Sequence, residues 1–255
     1  MAAEEAPYQT FASLYDELFD GELYVDWADY VQEKTPAGKI LDLGGGAGRL
    51  AVLLAQAGYQ VDCLDLSAPM LELAQKHAEE AKVDVRLLQA DIREFSDWEE
   101  KYPTIVSFAD TFNYLPTVEE FKAGLAQAYA HLEDGGTFLF DVITPKMVKE
   151  SYDNFCYNND DDPDKIFMWT AYPSEEENDY SVDHDLKFFL YQEDIDAFKM
   201  VREVHHELTY DRDFYEAALK EAGFENITFS ADFGKKEADD EDERWFISCQ
   251  KGASK

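Results

Sequence analysis

The sequence predicts a doubly wound α/β fold: a mostly parallel, seven-stranded sheet with an antiparallel β lid inserted before its last helix and strands. Three observations carry this. Short apolar runs alternate with helical periodicity from Lys39 to Val142. A glycine-rich turn follows the first of those runs, and after Thr144 the alternation gives way to consecutive strand-like stretches.

From the N-terminus, Phe11, Leu14, Tyr15 and Leu18, then Tyr24, Trp27, Tyr30 and Val31, recur at helical spacing and predict two short helices broken near Asp20 and Gly21. The first sheet strand is 40–43, followed by a helix at 48–57 and a strand at 60–64. Ser67 is placed to cap the next helix, 68–81, with Pro69 in its first turn, where no N–H is needed. Strands at 85–89, 104–108 and 137–142 follow, with a helix at 118–131 and a turn at 133–136. Beyond them 166–172, 180–191 and 198–210 read as antiparallel strands, because no helix separates them. Asp211 caps a helix that reaches Ala222 and ends at Gly223, and 227–233 with 245–250 predict a hairpin on the edge of the main sheet. The expected plan is one structural unit: a helical cap (1–38), a core (39–145 and 211–255) and the lid insertion (146–210). With 255 residues, 45% of them hydrophobic and 15% aromatic, the chain can bury a sizeable core.

Charge narrows the partners. Lys and Arg total 22 against 56 Asp and Glu, a formal charge of −34. Such a surface repels phosphate backbones and anionic membranes at range, so neither nucleic acid nor membrane is an expected partner, and the acidity reads as a hydrated surface. Cys63, Cys156 and Cys249 form no CxxC or Cys/His cluster, so no disulfide framework or zinc site is indicated and no metal is expected. With no basic-then-apolar leader and no spanning-length apolar stretch, the expected compartment is the cytoplasm. The acidic runs at 158–162, 175–177 and 239–243 read as solvated loops; the first lacks the glycine and closing Glu of a calcium loop. Nothing in the sequence bears on oligomeric state.

The chemistry concentrates at ILDLGGGAGRL, residues 40–50, where a buried strand runs into Gly44, Gly46 and Gly48 and then a helix. Glycines there let the chain turn tightly and let a ligand lie against main-chain N–H groups. Such a loop alone is shared by several nucleotide binders. Asp42 adds a polar group at the strand mouth, and Asp65 closes the next strand where an acid accepts both ribose hydroxyl protons. Arg49 follows the third glycine, which is not the arrangement of a pyrophosphate loop.

ILDLGGGAGRL followed by VDCLDLSAPMLELA resembles the first two motifs of the class I, Rossmann-like S-adenosylmethionine-dependent methyltransferases. The resemblance continues through LLQADIREF, YPTIVSFADTFNYL and LEDGGTFLFDV, covering about residues 39–143. It implies S-adenosyl-L-methionine as cofactor, with Asp42, Gly44, Gly46, Gly48, Asp65, Leu66, Met70, Asp91 and Ile92 around it, the last two flanking the adenine. The segment YQTFASLYDELFDGELYVDW resembles the N-terminal helix of small-molecule methyltransferases, in which Tyr15 would close on the methionine end. The strands from Phe167 to Tyr210 resemble the lid of glycine-type and aminosugar N-methyltransferases.

Other readings stand beside these. Asp42 either meets the cofactor's ammonium or orders the glycine loop, Asp91 is alternatively a helix cap, and Tyr15 is alternatively core. Asp110, Asn113 and Tyr114 follow the fourth strand at the carboxyl edge where ligands bind open α/β sheets; Asp110 and Tyr114 are catalytic candidates. In the lid, His205 and Glu207 share one strand face and His206 the other, so His205 is the candidate base, or else a solvent-facing polar residue. The expected reaction is direct, in-line methyl transfer to a small-molecule acceptor, an amine or else a hydroxyl, with a base needed only where the acceptor must lose a proton. An NAD-dependent dehydrogenase and a non-catalytic cofactor binder are the alternatives from other classes.

Overall fold

The computed structural model describes Ala12, Leu14, Asp16 and residues 21–253. Its strands in chain order are β1 (Lys39–Leu43), β2 (Gln60–Asp65), β3 (Val85–Gln89), β4 (Tyr102–Ser107), β5 (Leu132–Ile143), β6 (Cys156–Asp162), β7 (Lys165–Pro173), β8 (Tyr180–Gln192), β9 (Ala197–Thr209), β10 (Phe224–Ala231), β11 (Lys236–Glu237) and β12 (Arg244–Lys251). The α-helices that the described residues give in full are α1 (Gly21–Lys34), α2 (Arg49–Gln56), α3 (Ala68–Ala81), α4 (Val118–His131) and α5 (Arg212–Ala222).

The main sheet has the order β11-β10-β12-β5-β4-β1-β2-β3, with β1 to β5 parallel and β12, β10 and β11 antiparallel. Both faces are covered, so β1 is apolar on both: Leu41 and Leu43 pack with Phe121, Leu125, Tyr215 and Leu219 of α4 and α5, while Ile40 joins Trp27, Val31, Leu50 and Leu54 of α1 and α2. The side chains that end the helices act as the sequence suggests. Ser67 Oγ accepts from Met70 N at 3.3 Å, Asp211 Oδ1 accepts from Phe214 N at 2.8 Å, and Gly223 takes the left-handed conformation after α5.

The sheet differs from expectation in three places. It has eight strands, because the two-residue β11 pairs outside Ser230 and Ala231; the β10–β12 hairpin lies at that edge of the sheet as expected, with β12 on its inner side beside β5. The segment 133–136, expected as a turn, is strand: β5 begins at Leu132, its pairing with β4 slips between Tyr102 and Thr104, and Gly135 at φ +78° absorbs the irregularity. Asp242, expected in a solvated run, is buried, accepting from Asp239 N at 2.9 Å and pairing with Lys236 at 2.5 Å.

The lid is a four-stranded antiparallel meander, β6-β7-β8-β9, one strand more than expected. The extra strand is β6, read from sequence as a solvated acidic loop; it pairs with β7 along the exposed rim, where charge guards an open edge. The lid rests on the core through Ala171 and Val182 against Ile143, Val148 and Tyr152. Leu14 packs with its Phe167, Leu186 and Phe188. Asn113 ties three elements together: its side chain donates to Leu208 O at 2.9 Å, accepts from Ile143 N at 3.0 Å and lies 3.4 Å from the Tyr215 hydroxyl.

Candidate active site

The chain leaves β1 toward β2 and leaves β4 toward β5, in opposite directions across the sheet, which opens a crevice beyond the carboxyl ends of those neighbours. A cavity of about 530 Å³ occupies it. The loop after β1 forms its floor. Gly46 lines the cavity at φ +53°, and a Cβ there would meet no atom of the described residues within 4 Å, so the space beside this backbone is open. Gly48 does not line the cavity. It precedes α2 at φ +71°, and a Cβ on it would stand 2.7 Å from the Cβ of Ala74 in α3. Gly48→Ala is therefore expected to cost about 2 kcal/mol or more of folding stability through strain and overpacking, read by denaturant unfolding. An unchanged midpoint would refute that close helix approach.

Asp65, at the end of β2, spends one lone pair of each oxygen on the loop: Oδ2 accepts from Gly46 N at 2.8 Å and Oδ1 from Ser67 N at 2.8 Å. Burial raises its pKa and these N–H groups pull it back. The remaining lone pairs belong to a residue of the cavity wall. Asp42 is fully buried in β1, and its Oδ2 has no hydrogen-bond partner among the described residues. Burial first, and then the charge of Asp65, push its pKa up to about 7. Asp42 therefore carries a buried carboxyl oxygen without a donor in the cavity wall, a group whose burial is costly unless it is partnered.

The N-terminal segment closes one side. Asp16 is held by Arg49 Nε at 2.5 Å and Nη2 at 2.9 Å, with His77 Nε2 3.3 Å away, and both Ala12 and Asp16 line the cavity. Tyr15 lies outside the described residues. On the opposite loop, Leu66 is 63% exposed and lines the cavity together with Met70, Asp91 and Ile92. Asp91 caps a turn, not a helix: its Oδ1 accepts from Arg93 N at 2.9 Å, and the Arg93 guanidinium holds its carboxyl below the usual range.

The turn after β4 separates the two catalytic candidates there. Tyr114 faces the cavity. Asp110, expected to touch the acceptor, is not among the lining residues. Its carboxylate is taken by Arg244, which also reaches Asp141 Oδ2 at 2.9 Å, and its own N–H donates to Asp141 Oδ1 at 3.1 Å. Trp27 Nε1 donates to the same Asp141 at 3.0 Å. The reason is long-range: β12 delivers Arg244 opposite Ile143, at the end of β5. From the lid, β9 contributes His205 and also Glu203, which sequence reasoning missed. Its signal was parity, since 203, 205 and 207 share the inner face of β9. His205 Nε2 lies 3.1 Å from Glu203 Oε2, and Nδ1 lies 3.2 Å from the Tyr114 hydroxyl. Glu207 is buried in the same face, 3.5 Å from His184 Nε2. His206 points outward to Asp183 at 2.7 Å.

Fold and cavity together define an open α/β protein whose ligand site lies at the sheet's switch point under a β lid. Residues 40–136 match the model of a family described as a methyltransferase domain. The protein YqeM of Bacillus subtilis (strain 168), a methyltransferase by name, is 32% identical over 245 residues, covering 96% of this chain and 97% of the relative. The crystal structure of an S-adenosylmethionine-dependent methyltransferase from Clostridium acetobutylicum ATCC 824 superposes with a TM-score of 0.82 at 25% identity, over 96% of this chain and 99% of that one. A dTDP-3-amino-3,4,6-trideoxy-alpha-D-glucopyranose N,N-dimethyltransferase of Streptomyces venezuelae is 33% identical over 128 residues, half of this chain and 51% of the relative. The chain belongs to the class I S-adenosylmethionine-dependent methyltransferases.

Proposed function

We propose that this methyltransferase acts on a small-molecule amine. The carrying observation is the single cavity that joins the glycine loop, Asp65 and the orphaned Asp42 oxygen to a lid wall bearing Tyr114 and His205. Its lining carries Asp16, Asp42, Asp65, Asp91 and Glu203; Asp16 and Asp91 are each paired with an arginine and Asp42 holds its proton up to about pH 7, so Asp65 and Glu203 are the acids that favour a cationic acceptor. The likeness to an aminosugar N,N-dimethyltransferase points the same way.

In this reading Asp65 accepts the ribose hydroxyls, Asp91, Ile92 and Leu66 frame the adenine, Met70 and the Gly44–Gly46 backbone line the nucleoside, and Asp42 takes the donor's ammonium. When bound, S-adenosyl-L-methionine supplies a methyl group already activated by sulfonium charge. The chain's own work is alignment and exclusion of water, which the lid and the Asp16 segment perform by closing two sides of the cavity. The test is calorimetric titration with S-adenosylmethionine, its demethylated product and NAD, followed by radiolabelled methyl transfer to a panel of small primary amines and their hydroxyl analogues. Transfer to hydroxyls alone would replace the amine reading, and binding of NAD alone would remove the methyl-transfer reading altogether.

Asp42 adds a pH prediction. Its pKa of about 7 in the folded protein lies above the unfolded value near 4, so the free protein holds this proton between about pH 4 and 7. The stability it contributes is present below about pH 4 and lost as pH rises through about 7. A cofactor ammonium beside it favours the ionised form, so binding near pH 6 should release a proton. Calorimetry in buffers of different ionisation enthalpy should detect that proton, and Asp42→Asn should remove it. Equal proton release in wild type and variant would sink the Asp42–ammonium contact.

A further inference from the structure

Glu203, His205 and Tyr114 form one hydrogen-bonded chain along the cavity wall. A carboxylate only accepts, so the 3.1 Å contact assigns the imidazole hydrogen to Nε2, donated to Glu203. The lone pair of Nδ1 then accepts the Tyr114 hydroxyl at 3.2 Å. The ring faces reinforce this, with the Tyr114 and His205 centroids 5.7 Å apart at 70°. All three residues line the cavity, and Tyr114 is 37% exposed. His184, directly opposite on β8, accepts from Trp169 Nε1 at 3.0 Å and faces Glu207.

Resting on the amine reading above, we propose that these three residues are the proton relay that readies a protonated amine for methylation. Tyr114 and His205 move the proton, and Glu203 is the positioning residue. As the acceptor's N–H bond breaks, its proton passes to the Tyr114 oxygen while the phenol's own proton passes to His205 Nδ1. Glu203 fixes the tautomer that makes Nδ1 the acceptor and balances the imidazolium that forms. The freed nitrogen lone pair makes the N–CH3 bond as the S–CH3 bond breaks, the sulfur keeping that electron pair. The imidazolium later returns its proton to water. The relay is a base only for an acceptor that arrives charged; a neutral amine needs none of it.

That restriction gives the test. Rates are compared for wild type, Tyr114→Phe and His205→Gln, using whichever of aminohexoses, amino acids or polyamines the wild type methylates. At pH 7, where the amine is protonated, each variant is expected to fall about a hundredfold in kcat with S-adenosylmethionine affinity unchanged, and the deficit should shrink to within about tenfold near pH 9.5. A deficit independent of pH means a structural role and overturns the relay. An activity-free arm uses long-range 1H–15N NMR of the imidazole, assigned by its loss in His205→Gln. The expected result is an Nε2–H tautomer in the wild type that Glu203→Leu abolishes; an Nδ1–H tautomer in the wild type overturns the assignment. Wild-type transfer to hydroxyl compounds alone, with the Nε2–H tautomer present, would instead overturn the amine reading, so the two failures are distinguishable.

Discussion

Arg244→Met is expected to remove about 3–5 kcal/mol of folding stability, the cost of leaving buried acids without their cation. Asp141 is fully buried and Asp110 half-buried, and Arg244 pairs with both. Burial raises the Asp141 pKa to about 6 even with Arg244 pulling it down. Above that pH the carboxylate is charged in the wild type, so the variant's deficit should be largest at about pH 8. Loss of Arg244 raises the Asp141 pKa further, so the deficit should narrow as pH falls toward about 6, protonation in the variant relieving the orphaned charge. The sign follows from linkage: a raised acid pKa contributes stability at low pH that is lost as pH rises. Denaturant unfolding at pH 5 and 8 reads the effect, and Asp141→Asn added to Arg244→Met should recover part of it. A loss below about 1 kcal/mol at both pH values would mean that the cluster is dispensable.

Asp65→Ala carries the largest expected effect on binding. Its carboxylate holds the Gly46 and Ser67 N–H groups and, in the proposed reading, also takes two ribose hydroxyls. Hydrogen bonds to a charged group are worth about 1.5–3 kcal/mol each, so losing both hydroxyl contacts should weaken S-adenosylmethionine binding at least about a hundredfold by calorimetry. Asp65→Asn separates the roles, because an amide oxygen still accepts one loop N–H while losing the charge. Affinity within about tenfold of wild type in Asp65→Ala would remove the residue from the cofactor site.

The parts of this fold that could be read from sequence are those whose cause is local. A capping serine with proline behind it delimits α3 at Ala68–Ala81, and Asp211 with Gly223 delimits α5. The glycine loop and Asp65 belong to one supersecondary unit, so their meeting in one cavity follows from spacing. What escaped depends on partners distant in sequence. Nothing around Asp110 announces Arg244, which reaches it only because β12 pairs with β5. The strand β6 has no apolar alternation, and only its pairing with β7 makes it a strand. Glu203 sits in a charged stretch whose alternation was visible, but which face met the cavity depended on how the lid lies on the core.

The short N-terminal segment has one foot on each body. Leu14 is buried among lid residues, while Asp16, two residues on, is clamped to Arg49 and His77 on the glycine-loop side. A change in how the lid sits on the core would therefore pull on the same short span whose Ala12 and Asp16 wall the cavity, which couples the lid's position to the shape of that wall.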